Sequence, residues 1–274
     1  MSTYVDLMRL DFPEDEQEKM EMFARIEGRL SGQRIEKANR FRRMEDQERS
    51  LCAGLLLDYA LMRFGRREKT EEIGISEHGK PVLLSCPELF FNLSHSINLV
   101  MAVTSDRPCG CDVEEVRKAV AGVSRRFFCE EECQEIFSCP EGVQRDRMFT
   151  RFWTMKESYV KMTGTGLTIP LDSFRILLPQ RREAQLPFQK NIQEMWESDT
   201  QTEKTSIESR KCPECTVGRV RRRGEDGNCA LYDFSEWIEE KMEKISGRGA
   251  CASVCLSSED RDVFFSFQNL SDVI

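Results

Sequence analysis

Apolar residues recur along this chain in short blocks, and each block has a readable period. TYVDLMRL, opening at Thr3, reads as a strand, and Pro13 followed by Glu14 and Asp15 makes the first turn of a helix running to about Gly28. A second helix is expected over Gln33 to Arg43. From Asp46 to Phe64 the run DQERSLCAGLLLDYALMRF is apolar on more than one face and stops at Gly65, as a buried helix with a glycine terminus does. FFNLSHS and NLVMAVTS are two short apolar-rich runs joined by a polar turn; with CGCDVEEV they predict a small antiparallel meander. VSRRFFCEEECQEIF and DRMFTRFWTMKESYVKM have helical period, Gly164 and Gly166 end the second, and FRILL resumes as a strand. Mixed strands and helices in this order predict an α+β fold.

Beyond about Gln180 the composition turns polar and charged as far as Asp226, which reads as a surface insertion at 180–226. A further helix is expected over Leu231 to Ile245, and GACASVCLSS returns to the core as a strand. The division between halves is expected at Asp106 to Cys109, giving segments 1–107 and 108–274.

Chain properties then narrow the function. With 274 residues the chain can bury a core without disulfide staples. A formal charge of −8 argues against non-specific nucleic-acid binding, so any phosphate site must be local. Met1 to Leu30 has no signal-peptide layout and no apolar run approaches a membrane span, so the twelve cysteines are expected as reduced thiols in a cytoplasmic protein. Cys212 and Cys215 form a C-x-x-C pair that is either half a zinc site or two free thiols; the free-thiol reading is preferred, because neither His78 nor His95 lies near a second ligand pair.

The candidate chemistry lies in two stretches. In CGCDVEEV, Asp112 and Glu114 are two apart, so on a strand both carboxylates leave one face. They repel unless a cation lies between them, and a hard divalent ion such as Mg²⁺ takes carboxylates, waters and phosphates as ligands. In RFWTMKESYVKM, Glu157 and Lys161 are four apart and share a helical stripe. Taken singly, these are a solvated strand face and a surface ion pair worth about 0.3–0.5 kcal/mol.

Together they resemble a known family. GCDVE at Gly110 to Glu114, FWTMKESYVK from Phe152, GKP at Gly79 to Pro81, FNLSHS at Phe91 to Ser96 and the basic stretch RIEKANRFRRMEDQERS at Arg34 to Ser50 stand in the order of the signatures of 4′-phosphopantetheinyl transferases of the surfactin type. The resemblance implies two similar α+β halves packed as a pseudo-dimer. It implies transfer of phosphopantetheine from coenzyme A to a serine of an apo carrier protein, with Mg²⁺ or Mn²⁺ as the ion, in a monomer without nucleic-acid or membrane partners. It implies a metal site of Asp112, Glu114 and Glu157, with Glu157 also a candidate base, and it places Lys161 on the pyrophosphate. Arg34, standing where lysine is common, falls around the phosphates with Lys37, Lys80, Ser94 and His95, and Ser50 falls near the nucleotide. The Ser94–His95 pair would touch the 3′-phosphate, and Lys156 is expected to reach phosphate from the side or to orient the carrier. Arg40, Arg42, Arg43, Arg49, Arg125 and Arg126 either dock an acidic carrier or are solvated helix faces. Two other classes stay open at this level: a different Mg²⁺-dependent phosphotransferase or pyrophosphatase, and a non-catalytic binding module.

Overall fold

The computed structural model describes residues 3–178, 210–211, 216–222, 225–233, 249–257 and 263–274. Strand β1 (Thr3–Arg9) leads into helices α1 (Glu16–Arg29), α2 (Gly32–Asn39) and α3 (Met44–Met62). Asp15 caps α1 by accepting from the Glu18 amide, and Ser31 caps α2 by accepting from that of Arg34. A two-stranded ribbon, β2 (Ile73–Ile75) and β3 (Pro81–Leu83), precedes the hairpin β4 (Phe90–Ser96) and β5 (Leu99–Ser105), then β6 (Cys109–Glu115). Helices α4 (Ala121–Phe127), α5 (Glu130–Ser138) and α6 (Val143–Thr163) follow, and then β7 (Phe174–Leu177), β8 (Arg210–Lys211), β9 (Thr216–Arg222), β10 (Glu225–Asp233), β11 (Ala250–Leu256), β12 (Val263–Asn269) and the short α7 (Leu270–Val273). The protein is α+β, as expected from the order of elements.

Two five-stranded sheets carry the fold, in the orders β4-β5-β1-β12-β8 and β6-β11-β10-β9-β7. Period two decides what each face meets. Val5 and Leu7 of β1, with Leu99, Met101 and Val103 of β5, join Cys109, Cys111 and Val113 of β6 and Ala250, Ala252 and Val254 of β11 in one buried cluster. The opposite face of the first sheet, through Met8, Val100 and Ala102, buries Ile26 of α1 and Leu51, Leu55 and Leu56 of α3. On the second sheet, Ile176, Leu231 and Cys255 pack against Phe152, Met155 and Tyr159 of α6. The layers therefore run helix, sheet, sheet, helix.

Three expectations are corrected here. The meander ends after two strands, because β6 pairs antiparallel with β11 in the other sheet. It still lies along β4, where side chains replace a backbone ladder: the amides of Cys111, Val113 and Glu115 donate to Asn92 Oδ1 at 2.9 Å, Ser94 Oγ at 3.3 Å and Ser96 Oγ at 3.1 Å. Thr216–Arg222, expected within the insertion, is instead strand β9, paired with both β7 and β10. Val220 is buried there between exposed Arg219 and Arg221, so the charged alternate residues hid an inward-facing strand. The helix expected from Leu231 starts as the end of β10, whose Cys229 and Leu231 face α6 while Ala230 and Tyr232 face the inter-sheet core. Residues 179–209 of the expected insertion, the Cys212–Cys215 pair and residues 234–248 lie outside the described residues.

Candidate active site

The site begins with a glycine. A Cβ on Gly110 would stand 2.1 Å from the Ser158 carbonyl oxygen and 2.3 Å from the Met162 amide nitrogen, so only glycine lets β6 lie this close to the backbone of α6. That approach brings the carboxylates of one element to the lysine of the other. Lys161 Nζ donates to Asp112 Oδ1 at 2.6 Å and to Ser94 Oγ at 3.1 Å, and Ser94 Oγ donates to the same Asp112 oxygen at 2.8 Å. Asp112 is 4% exposed, and its other oxygen, Oδ2, is buried with no partner among the described residues. Helix α6 is held for this by its aromatic face, with the Tyr159 and Phe174 ring centroids 4.6 Å apart and Trp153 packed edge-on to Phe127 at 5.5 Å. It ends at Gly164, in the left-handed conformation at φ 69°.

Ser94, His95, Asp112, Glu114, Glu157 and Lys161 line one cavity of about 300 Å³. Burial pushes the Glu157 carboxyl above the usual carboxylate range; the charge of Asp112 adds to the rise, Lys161 opposes it, and Glu114 adds a smaller push. Glu114 is raised in the same way, first by burial and then by Asp112. Burial alone would lower the Lys161 ammonium, but Asp112, Cys111 and Glu157 outweigh it and raise it. The cavity thus holds more carboxylate than its one ammonium neutralises, around a buried carboxylate oxygen without a donor, which are the conditions a divalent cation relieves. Among the described residues no three such side chains already converge as a closed metal cage. The three carboxylates share the cavity while Asp112 leans on Lys161.

A second cavity, of about 160 Å³, is lined by Arg34, Lys37 and Ser50 and shares His95 with the first. Lys37 is lowered from its ordinary value by desolvation and then by Arg34, so two cations face a space that favours an anion. His95 is exposed by area, yet the cleft desolvates its ring; with Arg49 and Lys161 nearby, this holds the imidazole below its ordinary value. Arg34 donates through Nε to Glu68 at 3.3 Å, and its stem passes so close to Gly54 that a Cβ there would stand 3.0 Å from Arg34 Cγ.

Two lysines expected at the phosphates are engaged elsewhere. Lys156 is completely buried, ion-paired to Glu132 at 2.8 Å, and donates to the carbonyls of Leu171 and Phe174 at 2.7 Å each, with the Phe174 ring 4.3 Å below it. It faces the interior because it lies about 100° around the helix from Glu157. Lys80 lines a neighbouring cavity with Glu157 and Lys161, but its ammonium donates to the carbonyls of Cys109 at 2.8 Å, Lys161 at 2.7 Å and Met162 at 3.4 Å. It caps the end of α6 rather than presenting a free cation.

Residue reasoning missed several contributors. Ser96 Oγ donates to Glu114 Oε2 at 2.9 Å, and Arg117 reaches that oxygen at 2.6 Å. Glu132 anchors Lys156, and Gly54 clears the path of Arg34. The available signal was the alternation Asn92, Ser94, Ser96, which puts three short hydrogen-bonding side chains on one strand face.

A family model described as the 4′-phosphopantetheinyl transferase superfamily matches residues 108–212. The chain is 33% identical over 152 residues to 4′-phosphopantetheinyl transferase Sfp of Bacillus subtilis, covering 55% of this chain and 67% of that protein. It is 32% identical over 155 residues to another Bacillus subtilis 4′-phosphopantetheinyl transferase, covering 56% of this chain and 69% of the relative. With 4′-phosphopantetheinyl transferase HetI of a Nostoc species the identity is 31% over 193 residues, 68% of this chain and 79% of the relative.

Proposed function

Because this chain belongs to the 4′-phosphopantetheinyl transferase superfamily, in its surfactin-type branch, we propose that it moves 4′-phosphopantetheine from coenzyme A to a serine hydroxyl of an apo carrier protein, releasing adenosine 3′,5′-bisphosphate. That it is a phosphopantetheinyl transferase rests on the family; the donor, the acceptor and the ion are our reading. The observation that carries it is the unpartnered Oδ2 of Asp112, buried beside Lys161 in a cavity that shares His95 with the Arg34–Lys37 cavity. One region suits a cation and a reacting phosphate, and the adjoining one suits a second phosphate.

Asp112, Glu114 and Glu157 would hold Mg²⁺, with Mn²⁺ the alternative, and when bound the ion would stabilise charge on the pyrophosphate oxygens. Lys161 neutralises the transferring phosphate from the α6 side. Glu157, raised by burial, is placed to take the serine hydroxyl proton as the oxygen attacks the β-phosphorus of coenzyme A. Arg34, Lys37, Ser94 and His95 bind the adenosine phosphates, with Ser50 near the nucleotide. Arg40, Arg42, Arg43, Arg125 and Arg126 are exposed and available to an acidic carrier, whereas Arg49 is paired with Asp46 at 2.6 Å. The enzyme acts as a cytoplasmic monomer in this reading; among the described residues no helix is long and apolar enough to cross a membrane.

The test is incubation with coenzyme A, Mg²⁺ and a panel of apo carrier proteins, read by intact mass for one added phosphopantetheine per carrier. Asp112→Asn is expected to keep the fold by circular dichroism and lose at least about a hundredfold in rate. No transfer to any carrier by the wild type, or full transfer by Asp112→Asn, would overturn the proposal.

A further inference from the structure

The serines of β4 and the carboxylates of β6 form two matching sets. Ser94 Oγ accepts from the Val113 amide at 3.3 Å and donates to Asp112 Oδ1 at 2.8 Å; Ser96 Oγ accepts from the Glu115 amide at 3.1 Å and donates to Glu114 Oε2 at 2.9 Å. Each of those carboxylate oxygens also meets one cation, Lys161 for Asp112 at 2.6 Å and Arg117 for Glu114 at 2.6 Å. Both serines are buried, at 6% and 8% exposure. Asn92, two residues earlier, occupies the equivalent place and accepts from the Cys111 amide at 2.9 Å, but no carboxylate lies opposite it. Side-chain period two on β4 therefore meets period two on β6, and two of the three rungs end on an acidic side chain.

From this geometry we infer that Ser96 is a positioning residue for the divalent ion: it fixes Glu114 through Oε2, so that Oε1 is the oxygen left for the metal. The hydroxyl serves both strands at once. Its lone pair is held by the Glu115 amide, which directs its proton to Glu114, and this fixes the carboxylate rotamer before any ion arrives. Among the described residues both bonds to the Glu114 carboxylate end on Oε2, and Asp112 Oδ2 is buried without a partner. Ser94 and Ser96 thus present one free oxygen each from two carboxylates on the same strand face. Asn92 does the strand-bridging part of this task without the ligand-holding part, which makes it the natural control.

This inference rests on the proposed function for the identity of the ion, and the experiment separates the two. Binding of Mn²⁺ alone, without coenzyme A, is titrated by electron paramagnetic resonance on wild type, Asp112→Asn, Ser96→Ala, Ser96→Thr and Asn92→Ala, with melting temperatures recorded in the metal-free state. Wild type is expected to bind one Mn²⁺ and Asp112→Asn to bind it far more weakly. Ser96→Ala is expected to weaken Mn²⁺ about tenfold, Ser96→Thr to restore the affinity, and Asn92→Ala to lower the melting temperature while leaving Mn²⁺ affinity near that of wild type. Should Ser96→Ala not fold, Ser96→Cys keeps the shape with a weak donor and is expected to show the same loss. Wild type without bound Mn²⁺, or binding unaffected by Asp112→Asn, defeats the metal reading and this inference with it. Mn²⁺ bound normally by wild type and by the folded Ser96 variants, or weakened equally by Asn92→Ala, defeats this inference alone.

Discussion

Glu157 carries a cost that its role explains. Its carboxyl is raised by burial, so the fold disfavours the charged form. A group with a raised folded pKa contributes stability that is present below its ordinary value and is lost as pH rises through the raised one. Metal-free protein loses this contribution as pH rises. Glu157→Gln is therefore expected to melt a few degrees higher than wild type at pH 8 without metal, the gap narrowing toward pH 5, while transferase activity is lost. Scanning fluorimetry at both pH values, with an activity assay, checks it; a lower melting point at pH 8 would contradict the sign. Lys156 shows the opposite economy. Removing its ammonium strands the buried Glu132 charge, so Lys156→Met is expected to cost about 3–5 kcal/mol in a denaturant titration, with partial recovery in Lys156→Met/Glu132→Gln. At this scale the i,i+4 pair Glu157–Lys161 was legible in the sequence, as was the alternation of Asp112 with Glu114. The difference between Lys156 and Lys161 was not, because it depends on Glu132 of α5 and on the carbonyls of Leu171 and of Phe174 at the start of β7, and no spacing along α6 encodes those.

At the level of elements, the decisive contact is β6 against α6. Both were readable from their periods, as were β1, α1, α3, β4 and β5, since each presents a continuous apolar stripe or alternation. Helix α2 was read too long, ending at Asn39 rather than Arg43. Strand β9 was hidden because the buried Val220 stands between two exposed arginines, Arg219 and Arg221. The partner of β6 was hidden for another reason: β11 is far away in sequence, whereas the β4–β5 hairpin is adjacent and looked like the cheaper neighbour. The close approach at Gly110 gives this scale its prediction. Gly110→Ala places a methyl within 2.1 Å and 2.3 Å of two backbone atoms that move only with the helix. It is expected to destabilise by about 3 kcal/mol or more and to remove activity by parting Asp112 from Lys161, as measured by denaturant unfolding and by carrier loading. An alanine variant of wild-type stability and rate would show that the strand and helix have room to separate.

For the molecule as a whole, α+β layering followed from the mixed order of elements, but the sheet assignments did not, since they depend on pairings between strands distant in sequence. The first sheet takes β1, β4 and β5 from early in the sequence and β8 and β12 from late in it. Thr3 lies beside Val263 in a parallel register that continues to Arg9 beside Asn269. This arrangement sets a clock on biosynthesis. At ribosomal rates of about 5–20 residues per second, β1 emerges roughly 13–50 s before its parallel neighbour does. Through that interval β5 can cover one edge of β1, but the other edge displays open amides and carbonyls beside the apolar Val5 and Leu7. Until β12 arrives, the nascent chain carries an open strand edge of the kind that pairs with other chains. A chain stopped before Val263 never closes that edge, and it is expected to partition into the insoluble fraction on expression, with co-expressed β12–α7 peptide returning part of it to solution.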